Sequence, residues 1–139
     1  MNDALAAVEE MASSSAGPAP FDLVFVDADK TRLMEYVGAL VSTDRLLKKG
    51  GLIVVDNTLW KGLVLDACAK GNDSDSSGDE ASSGSEESNS EREVFRKKRR
   101  ARKLANKMHR FNSAVVQDDR VEVLLMPIRD GLTLIRKRS

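Results

Sequence analysis

Two short apolar runs, each ending in acidic residues, constrain the fold of this chain more than any other feature. The runs are FDLVFVDADK (Phe21–Lys30) and GGLIVVDNTLW (Gly50–Trp60), and Leu23–Val26 and Leu52–Val55 within them are apolar throughout. Unbroken apolar stretches of this length are typical of strands buried on both faces of a parallel sheet. The intervening Thr31–Lys49 has helical length, carries apolar residues on one stripe and runs into a glycine pair. We therefore predict a βαβ unit with a right-handed crossover.

Each predicted strand is followed at once by side chains that can do chemistry. Asp27, Asp29 and Lys30 follow the first strand, and Asp56 and Asn57 follow the second. Ligands of open α/β sheets bind beyond the carboxyl ends of the strands, and neighbouring parallel strands lie about 4.8 Å apart. If the two strands are neighbours, Asp27 and the Asp56–Asn57 pair converge on one point. We predict a functional site there.

The ligand types at this point favour a hard divalent cation. Asp27, Asp56 and Asn57 offer carboxylate and amide oxygens, which suit Mg²⁺, Ca²⁺ or Mn²⁺ rather than Zn²⁺. Three protein ligands leave about three positions of an octahedron for water and substrate oxygens. Lys30 lies one turn past Asp27, where it can act as a general base beside the cation. An alternative stays open on these residues alone, because Asp is also a common helix N-cap.

Three separated motifs, VDADK, GGLIVVDNTLWKG and DDRVEVLLMPIRDGLTLIRK, occur in this order. In sequence and spacing they resemble the cation-dependent class I O-methyltransferases, the caffeoyl-CoA and catechol O-methyltransferase relatives that use S-adenosylmethionine. The resemblance implies that Asp27, Asp56 and Asn57 are metal ligands and that Lys30 is the catalytic lysine. It also implies that Asp29, together with Asp27, lies on the cofactor side of the site.

The resemblance further implies an α/β architecture. Members of this family have a Rossmann-like sheet in the strand order 3-2-1-4-5-7-6, closed by an antiparallel hairpin. The present chain matches the last four strands, so we expect residues 1–139 to form the C-terminal half of such a domain. The first three strands and the Gly-rich turn that wraps the cofactor have no counterpart in the sequence.

The implied reaction is methyl transfer to an oxygen of a vicinal aromatic diol, such as a catechol or a caffeoyl ester. Mg²⁺ or another divalent cation would chelate both oxygens while Lys30 takes the proton. Trp60 matches a residue near the substrate pocket. Lys61 is also expected on the substrate side, and it stands where a small polar residue is usual. A homodimer or a complementing N-terminal half is the expected protein partner. The alternative function is a non-catalytic remnant or interaction module that works through its charged tracts.

These charged tracts follow the second apolar run. Gly71–Glu93 is rich in Ser, Gly and acidic residues without one large apolar side chain, so we predict a disordered insert. RKKRRARK (Arg96–Lys103) is by itself typical of a nuclear-import or nucleic-acid segment. Apolar residues at helical spacing favour instead an amphipathic helix of about 93–116 that docks on the sheet and leaves the basic residues in water, with no nucleic-acid partner. Those apolar residues are Val94, Ala101, Leu104, Met108, Phe111 and Val115.

The two ends of the chain complete the expected fold. Met1–Met11 has apolar residues at helical spacing, and a Ser, Gly and Pro linker follows it. Arg120–Met126 and Leu132–Lys137 are predicted strands separated by a turn with Pro, Asp and Gly, so we expect an antiparallel hairpin.

Composition adds limits on compartment and partners. The 139 residues carry a formal net charge of +0 and fit one domain. The single cysteine, Cys68, rules out an internal disulfide and suits a reducing compartment. We find no apolar run of the roughly 20 residues that a membrane span needs, and no signal-peptide pattern. We expect a cytoplasmic protein without membrane contact, and the basic run leaves nuclear import open.

Overall fold

A computed structural model describes residues 3–14, 17–69 and 89–139. The sheet and helices follow the order α1 (Ala4–Ser13), β1 (Phe21–Val26), α2 (Leu33–Val41), β2 (Leu47–Asp56), α3 (Leu63–Ala69), α4 (Asn89–Val116), β3 (Val121–Met126) and β4 (Leu132–Lys137). No helix within the described ranges has both the length and the apolar content that crossing a membrane requires.

The four strands form one sheet in the order β1-β2-β4-β3. β1 pairs parallel to β2, with Val26 opposite Val55, and β4 pairs antiparallel to both β2 and β3. This is the 4-5-7-6 part of the strand order that the resemblance implies, so the fold prediction and the closing hairpin are confirmed. Because β1 and β2 are direct neighbours, their carboxyl ends meet at one edge of the sheet.

The predicted helix Thr31–Lys49 is too long. α2 ends at Val41, where the amide of the C-cap Ser42 donates to the Gly38 carbonyl oxygen at 3.0 Å. The next residues turn, because the Thr43 side-chain oxygen accepts the backbone N–H of Arg45 at 3.2 Å, a local bond that competes with helix continuation. The glycine pair does not stop a helix: Gly50 has a φ of +74° inside β2.

The prediction that β1 is buried on both faces is wrong for one face. The side chains of Val26 on β1 and of Ile53 and Val55 on β2 are buried against the helices. The other face carries Phe21, Leu23 and Phe25 with 43%, 54% and 57% of their surface exposed, together with exposed Leu124 on β3. We call these four residues the bare sheet face. Alternate side chains of a strand point to opposite faces, and the helices of the described chain bury only one set.

The boundary of the predicted insert also changes. Residues 71–88 of the predicted disordered stretch lie outside the described residues. Residues 89–93 instead belong to the start of α4. Glu93 forms an ion pair at 2.8 Å with Lys97, which lies one helical turn later. α4 docks through Met108, Phe111 and Val115 as predicted. It also docks through Ala105, which was not predicted, and Val94 is exposed rather than packed on the sheet.

A bidentate ion pair fixes the junction between α4 and β3. The Arg120 guanidinium donates to both Asp118 carboxylate oxygens at 2.9 and 2.7 Å, and the Arg120 amide donates to Oδ1 at 3.0 Å. The Arg120 side chain holds the pKa of Asp118 below its usual value, although partial burial acts in the opposite direction. A lowered carboxyl pKa stabilises the folded state above the pKa of the unfolded chain, and this stability is lost as pH falls through the folded pKa.

We expect Asp118→Asn to lower the free energy of unfolding by about 1 kcal/mol at neutral pH and to have a much smaller effect at acidic pH. Urea unfolding measured from neutral pH to about pH 3 tests this. In an Arg120→Gln background the same substitution should have little effect at any pH, since the pair is already broken. An equal cost of Asp118→Asn at all pH values would contradict the assignment.

Candidate functional site

The ammonium group of Lys30 bridges the carboxyl ends of β1 and β2. The Lys30 ammonium donates to Asp27 Oδ1 at 2.9 Å and to the backbone oxygen of Asp56 at 3.1 Å. The Lys30 side chain is only 11% exposed, while that of Asp27 is 61% exposed. The structure therefore brings Asp27, Lys30 and the backbone of Asp56 to one point, where two oxygen atoms contact one positive charge.

Asp56 and Asn57 occupy the sharp bend that leaves β2. Asp56 Oδ1 accepts the backbone N–H of Asn57 at 2.7 Å, and Asn57 has a φ of 61°, in the left-handed region. Asn is one of the few non-glycine residues that adopt this region readily. Both residues are half-buried, so the bend is held by the protein rather than by solvent.

Asp29 has a local structural partner. Its two carboxylate oxygens accept the backbone N–H and the hydroxyl of Thr31, both at 2.9 Å. The backbone hydrogen bond and then the hydroxyl bond hold the pKa of Asp29 below its usual value, with help from the nearby charges of Arg32 and Lys107. Neither aspartate caps α2, whose N-cap is Arg32. Asp29 bonds Thr31 in the turn before the helix, and Asp27 accepts a hydrogen bond from the Lys30 ammonium.

The donor set fits a hard cation in its chemistry. Asp27 Oδ1 and the Asp56 backbone oxygen already share a positive group, and Asn57 follows directly. Within the described residues, no group of three or more His, Cys, Asp or Glu side chains has a geometry that could hold a metal ion. The predicted set contains two carboxylates and an amide, so the metal remains a prediction that rests on these three residues.

A strained loop follows the bend and carries the two residues predicted to contact substrate. Trp60 and Lys61 have φ values of 44° and 56°, and such conformations cost about 1–3 kcal/mol each unless the surroundings fix them. Trp60 is half-buried against the core, and Lys61 is exposed. The structure thus places both residues in the loop that leaves the Asp56–Asn57 bend.

The turn before β4 and one residue of α4 hold this loop. The amides of Leu59 and Trp60 donate to the Asp130 carbonyl oxygen at 2.7 and 3.2 Å, and the Thr58 amide donates to Gly131 at 3.1 Å. Asn112 on α4 donates through Nδ2 to the Thr58 carbonyl oxygen at 2.8 Å. Our sequence analysis missed these positioning contacts, because the partners are far apart in the chain. Only the Asp and Gly of the turn gave a signal, and they were interpreted as a turn alone.

Gly131 is the position where the loop and the turn approach most closely. A Cβ atom there would lie 2.6 Å from Leu59 Cγ and 2.7 Å from the Leu59 amide nitrogen, and the φ of Gly131 is +86°. We expect Gly131→Ala to lower the free energy of unfolding by about 3 kcal/mol, since backbone strain and a clash with backbone add. Denaturant unfolding gives the value.

Gly62→Ala is the matched control for this substitution. Gly62 has a similar φ of +77° but no atom within 4 Å of a built Cβ. Gly62→Ala should therefore lower the free energy of unfolding only by the strain of an alanine in the left-handed conformation, about 1 kcal/mol. If both variants lost the same unfolding free energy, the close packing of the loop on the turn would not contribute to stability.

Comparison with known proteins settles the family. A model of the O-methyltransferase family matches residues 1–138. The chain belongs to the O-methyltransferase family. Curated relatives in this family include caffeoyl-CoA O-methyltransferase 1 of Zea mays, 34% identical over 137 residues that make up 96% of this chain and 41% of the relative. Another is O-methyltransferase ankF of Aspergillus thermomutatus, 31% identical over 133 residues, 96% of this chain and 46% of the relative.

Solved methyltransferase structures have the same fold. The SAH-bound methyltransferase PaMTH1 of Podospora anserina superposes with a TM-score of 0.66 over 99% of this chain and 47% of that chain, at 23% identity. A structure described as a caffeoyl-CoA O-methyltransferase from Staphylococcus aureus gives 0.64 over 98% and 49%, at 21% identity. The chain thus spans about half the length of the O-methyltransferases it matches, with the fold of that half.

Proposed function

We propose that this chain supplies the metal-binding and acceptor-binding half of an S-adenosylmethionine-dependent and divalent-cation-dependent O-methyltransferase. The observation that carries the proposal is the Lys30 ammonium held between Asp27 Oδ1 and the Asp56 backbone oxygen. Family membership supports the reaction type. The proposed acceptor is a vicinal aromatic diol such as a catechol or a caffeoyl ester, in line with the caffeoyl-CoA O-methyltransferases among the relatives.

Each residue of the proposed site would have a separate role in the reaction. Asp27, Asp56 and Asn57 would hold the cation through their oxygens, and Lys30, as the neutral amine, would take the proton of the attacking hydroxyl group and become an ammonium. The bound cation supplies the charge that stabilises the deprotonated acceptor oxygen, and S-adenosylmethionine supplies the methyl group. Trp60 would form a wall beside the acceptor.

The cofactor is proposed to bind at the carboxyl end of β1, on the side of the strand away from β2. Asp27 and Asp29 follow β1 directly, and β1 is one of the two edge strands of the described sheet. The relatives are about twice as long as the matched region. We therefore propose that a preceding N-terminal half, on a longer chain or a separate one, completes the cofactor site. A homodimer is a second arrangement that would bring another chain to this edge.

The experiment that tests this function joins the chain to the N-terminal half of the Zea mays caffeoyl-CoA O-methyltransferase 1. Transfer of radioactive methyl from S-adenosylmethionine to catechol and to caffeoyl-CoA is measured with Mg²⁺ and with EDTA. We expect transfer that depends on both the N-terminal half and the cation. A folded hybrid that binds S-adenosylmethionine yet transfers no methyl group would contradict the proposal and favour a non-catalytic interaction module.

A further inference from the structure

The first turns of α4 extend away from the body of the protein. All nine residues from Arg92 to Arg100 are exposed, including Val94 and Phe95 with 52% and 70% of their surface accessible. Burial begins only at Ala105, and Met108 is fully buried. The expectation that Val94 docks on the sheet therefore fails, and the part of the helix from Arg92 to Arg100 lies beyond the docked part.

The basic residues of α4 form one continuous line. Successive members lie three or four residues apart, which places them on a single face of a helix. We call this line the basic stripe: Arg92, Arg96, Arg99, Lys103, Lys107 and Arg110. Every member is exposed. At 1.5 Å per residue the basic stripe is about 27 Å long.

The opposite face of the helix binds the protein body, so the basic stripe is open to solvent, and Lys107 lies close enough to Asp29 for its charge to lower the pKa of that carboxyl. Ala105, Met108 and Val115 are buried in the core, also at steps of three or four residues along the helix. Glu93 is the acidic residue of α4 whose side chain the structure describes, and it forms an ion pair with Lys97 at 2.8 Å. The chain as a whole has a formal net charge of +0, so this concentration of positive charge is local.

An exposed aromatic ring lies next to the basic stripe. Phe95 is three residues after Arg92 and four residues before Arg99, which places its ring beside two arginines of the stripe. Ser90, Val94, Phe95 and Lys98 line a largely apolar hollow of about 260 Å³. A line of cations with an adjacent aromatic side chain is the arrangement that binds unpaired nucleotides, with phosphates on the cations and a base stacked on the ring.

We propose that α4 binds single-stranded nucleic acid, with the phosphate backbone along the basic stripe and a base against Phe95. An anionic membrane fits the same charge less well. A helix that lies in a membrane interface needs a continuous apolar face, and the apolar face of α4 is already buried through Met108 and Phe111. Only Val94 and Phe95 remain for insertion. This binding is independent of methyl transfer.

The first test is fluorescence anisotropy of the full chain with a labelled single strand of about 20 nucleotides. The test variant is Arg92→Gln/Arg96→Gln/Lys103→Gln, because Gln retains helix propensity while removing charge. We expect binding to weaken at least about tenfold near 50 mM salt and the slope of log K against log salt to fall by about 2, as for three lost phosphate contacts.

The matched control removes the same charge elsewhere. Lys49, Arg129 and Arg138 are exposed residues outside α4, and their triple replacement by Gln should leave affinity within about threefold. Equal weakening by the two triple variants would show that net charge rather than the basic stripe drives binding and would overturn the proposal. Absence of saturable binding by the wild-type chain at low salt would overturn it as well.

Phe95→Ala separates single-stranded nucleic acid from other polyanions. Loss of a stacked base should weaken single-strand binding about tenfold while binding to a duplex of equal length stays unchanged. Equal effects on the single strand and the duplex would contradict base stacking. Tighter binding to vesicles containing phosphatidylserine than to the single strand would overturn the nucleic-acid assignment in favour of a membrane surface.

Discussion

Lys30→Arg is expected to lower methyl transfer by the hybrid enzyme about 10²- to 10⁴-fold while leaving its fold intact. An arginine keeps the positive charge that joins Asp27 to the Asp56 backbone oxygen, but it does not give up its proton and so cannot accept one. General base catalysis contributes about 10²- to 10⁴-fold, so we expect kcat to fall by that factor. Methyl transfer under saturating S-adenosylmethionine and a thermal melt of the same sample provide the two measurements.

The control for this substitution is Lys48→Arg. Lys48 also pairs with an aspartate, Asp22 at 2.7 Å, but it lies at the start of β2, away from the strand ends that carry the site. Its replacement should leave kcat within about twofold. If Lys30→Arg kept wild-type activity, Lys30 would be a structural bridge between the strands and not a base.

The second large effect concerns the bare sheet face. Phe25 is 57% exposed on β1, an edge strand of the described sheet, and the backbone groups on the outer side of an edge strand can pair with another chain. We expect the chain expressed alone to self-associate. Phe25→Lys should lower the self-associated fraction at least about tenfold, because burial of a lysine in such a contact costs several kcal/mol unless it is paired. Size-exclusion chromatography with light scattering gives the fraction.

Leu65→Lys is the matched control for the bare sheet face. Leu65 is 64% exposed on α3, so the substitution makes the same chemical change at another exposed apolar residue. It should leave self-association and complementation by an N-terminal half unchanged. By contrast, Phe25→Lys should also block complementation. A monodisperse wild-type chain with a sharp melt would contradict the role of this face.

The elements predicted well are those in which local sequence and tertiary packing agree. The strand from Leu132 to Lys137 has the same limits in the sequence and in the structure, and β1 to β2 pairing follows from two apolar runs joined by one helix. The length of α2 was not predictable in the same way. Leu46 and Leu47 continue its apolar pattern, yet both are buried at the entry to β2 because a turn at Thr43 redirects the chain.

The exposure of β1 and of the start of α4 could not be predicted from local patterns either. An apolar strand looks the same in sequence whether its second face is covered by helices or left bare. Val94 continues the spacing of Met108 and Phe111, but the body of the protein ends before it reaches that turn. Both errors have the same cause. An apolar pattern indicates that a side chain is suited to burial, but it does not show whether another element of the fold packs against it.

The functional groups of the site were predictable from the sequence, but the contacts that hold its loop in place were not. Asp27, Lys30 and Asp56 follow the strands directly, and strand pairing alone brings them together. The contacts that hold the strained loop come from Asn112 and Asp130, which are separated from it by more than fifty residues of chain. Such contacts form only in the assembled fold, and no local sequence pattern predicts them.

Binding of Mn²⁺, followed by electron paramagnetic resonance, tests most directly whether the carboxyl edge of β1 and β2 is a cation site. Metal-free hybrid protein is titrated with Mn²⁺ and compared with Asp56→Ala and, as a control, with Asp66→Ala on the exposed side of α3. We predict saturable binding that Asp56→Ala abolishes and Asp66→Ala leaves unchanged. Binding that is absent from the wild type, or that survives Asp56→Ala undiminished, would contradict the account.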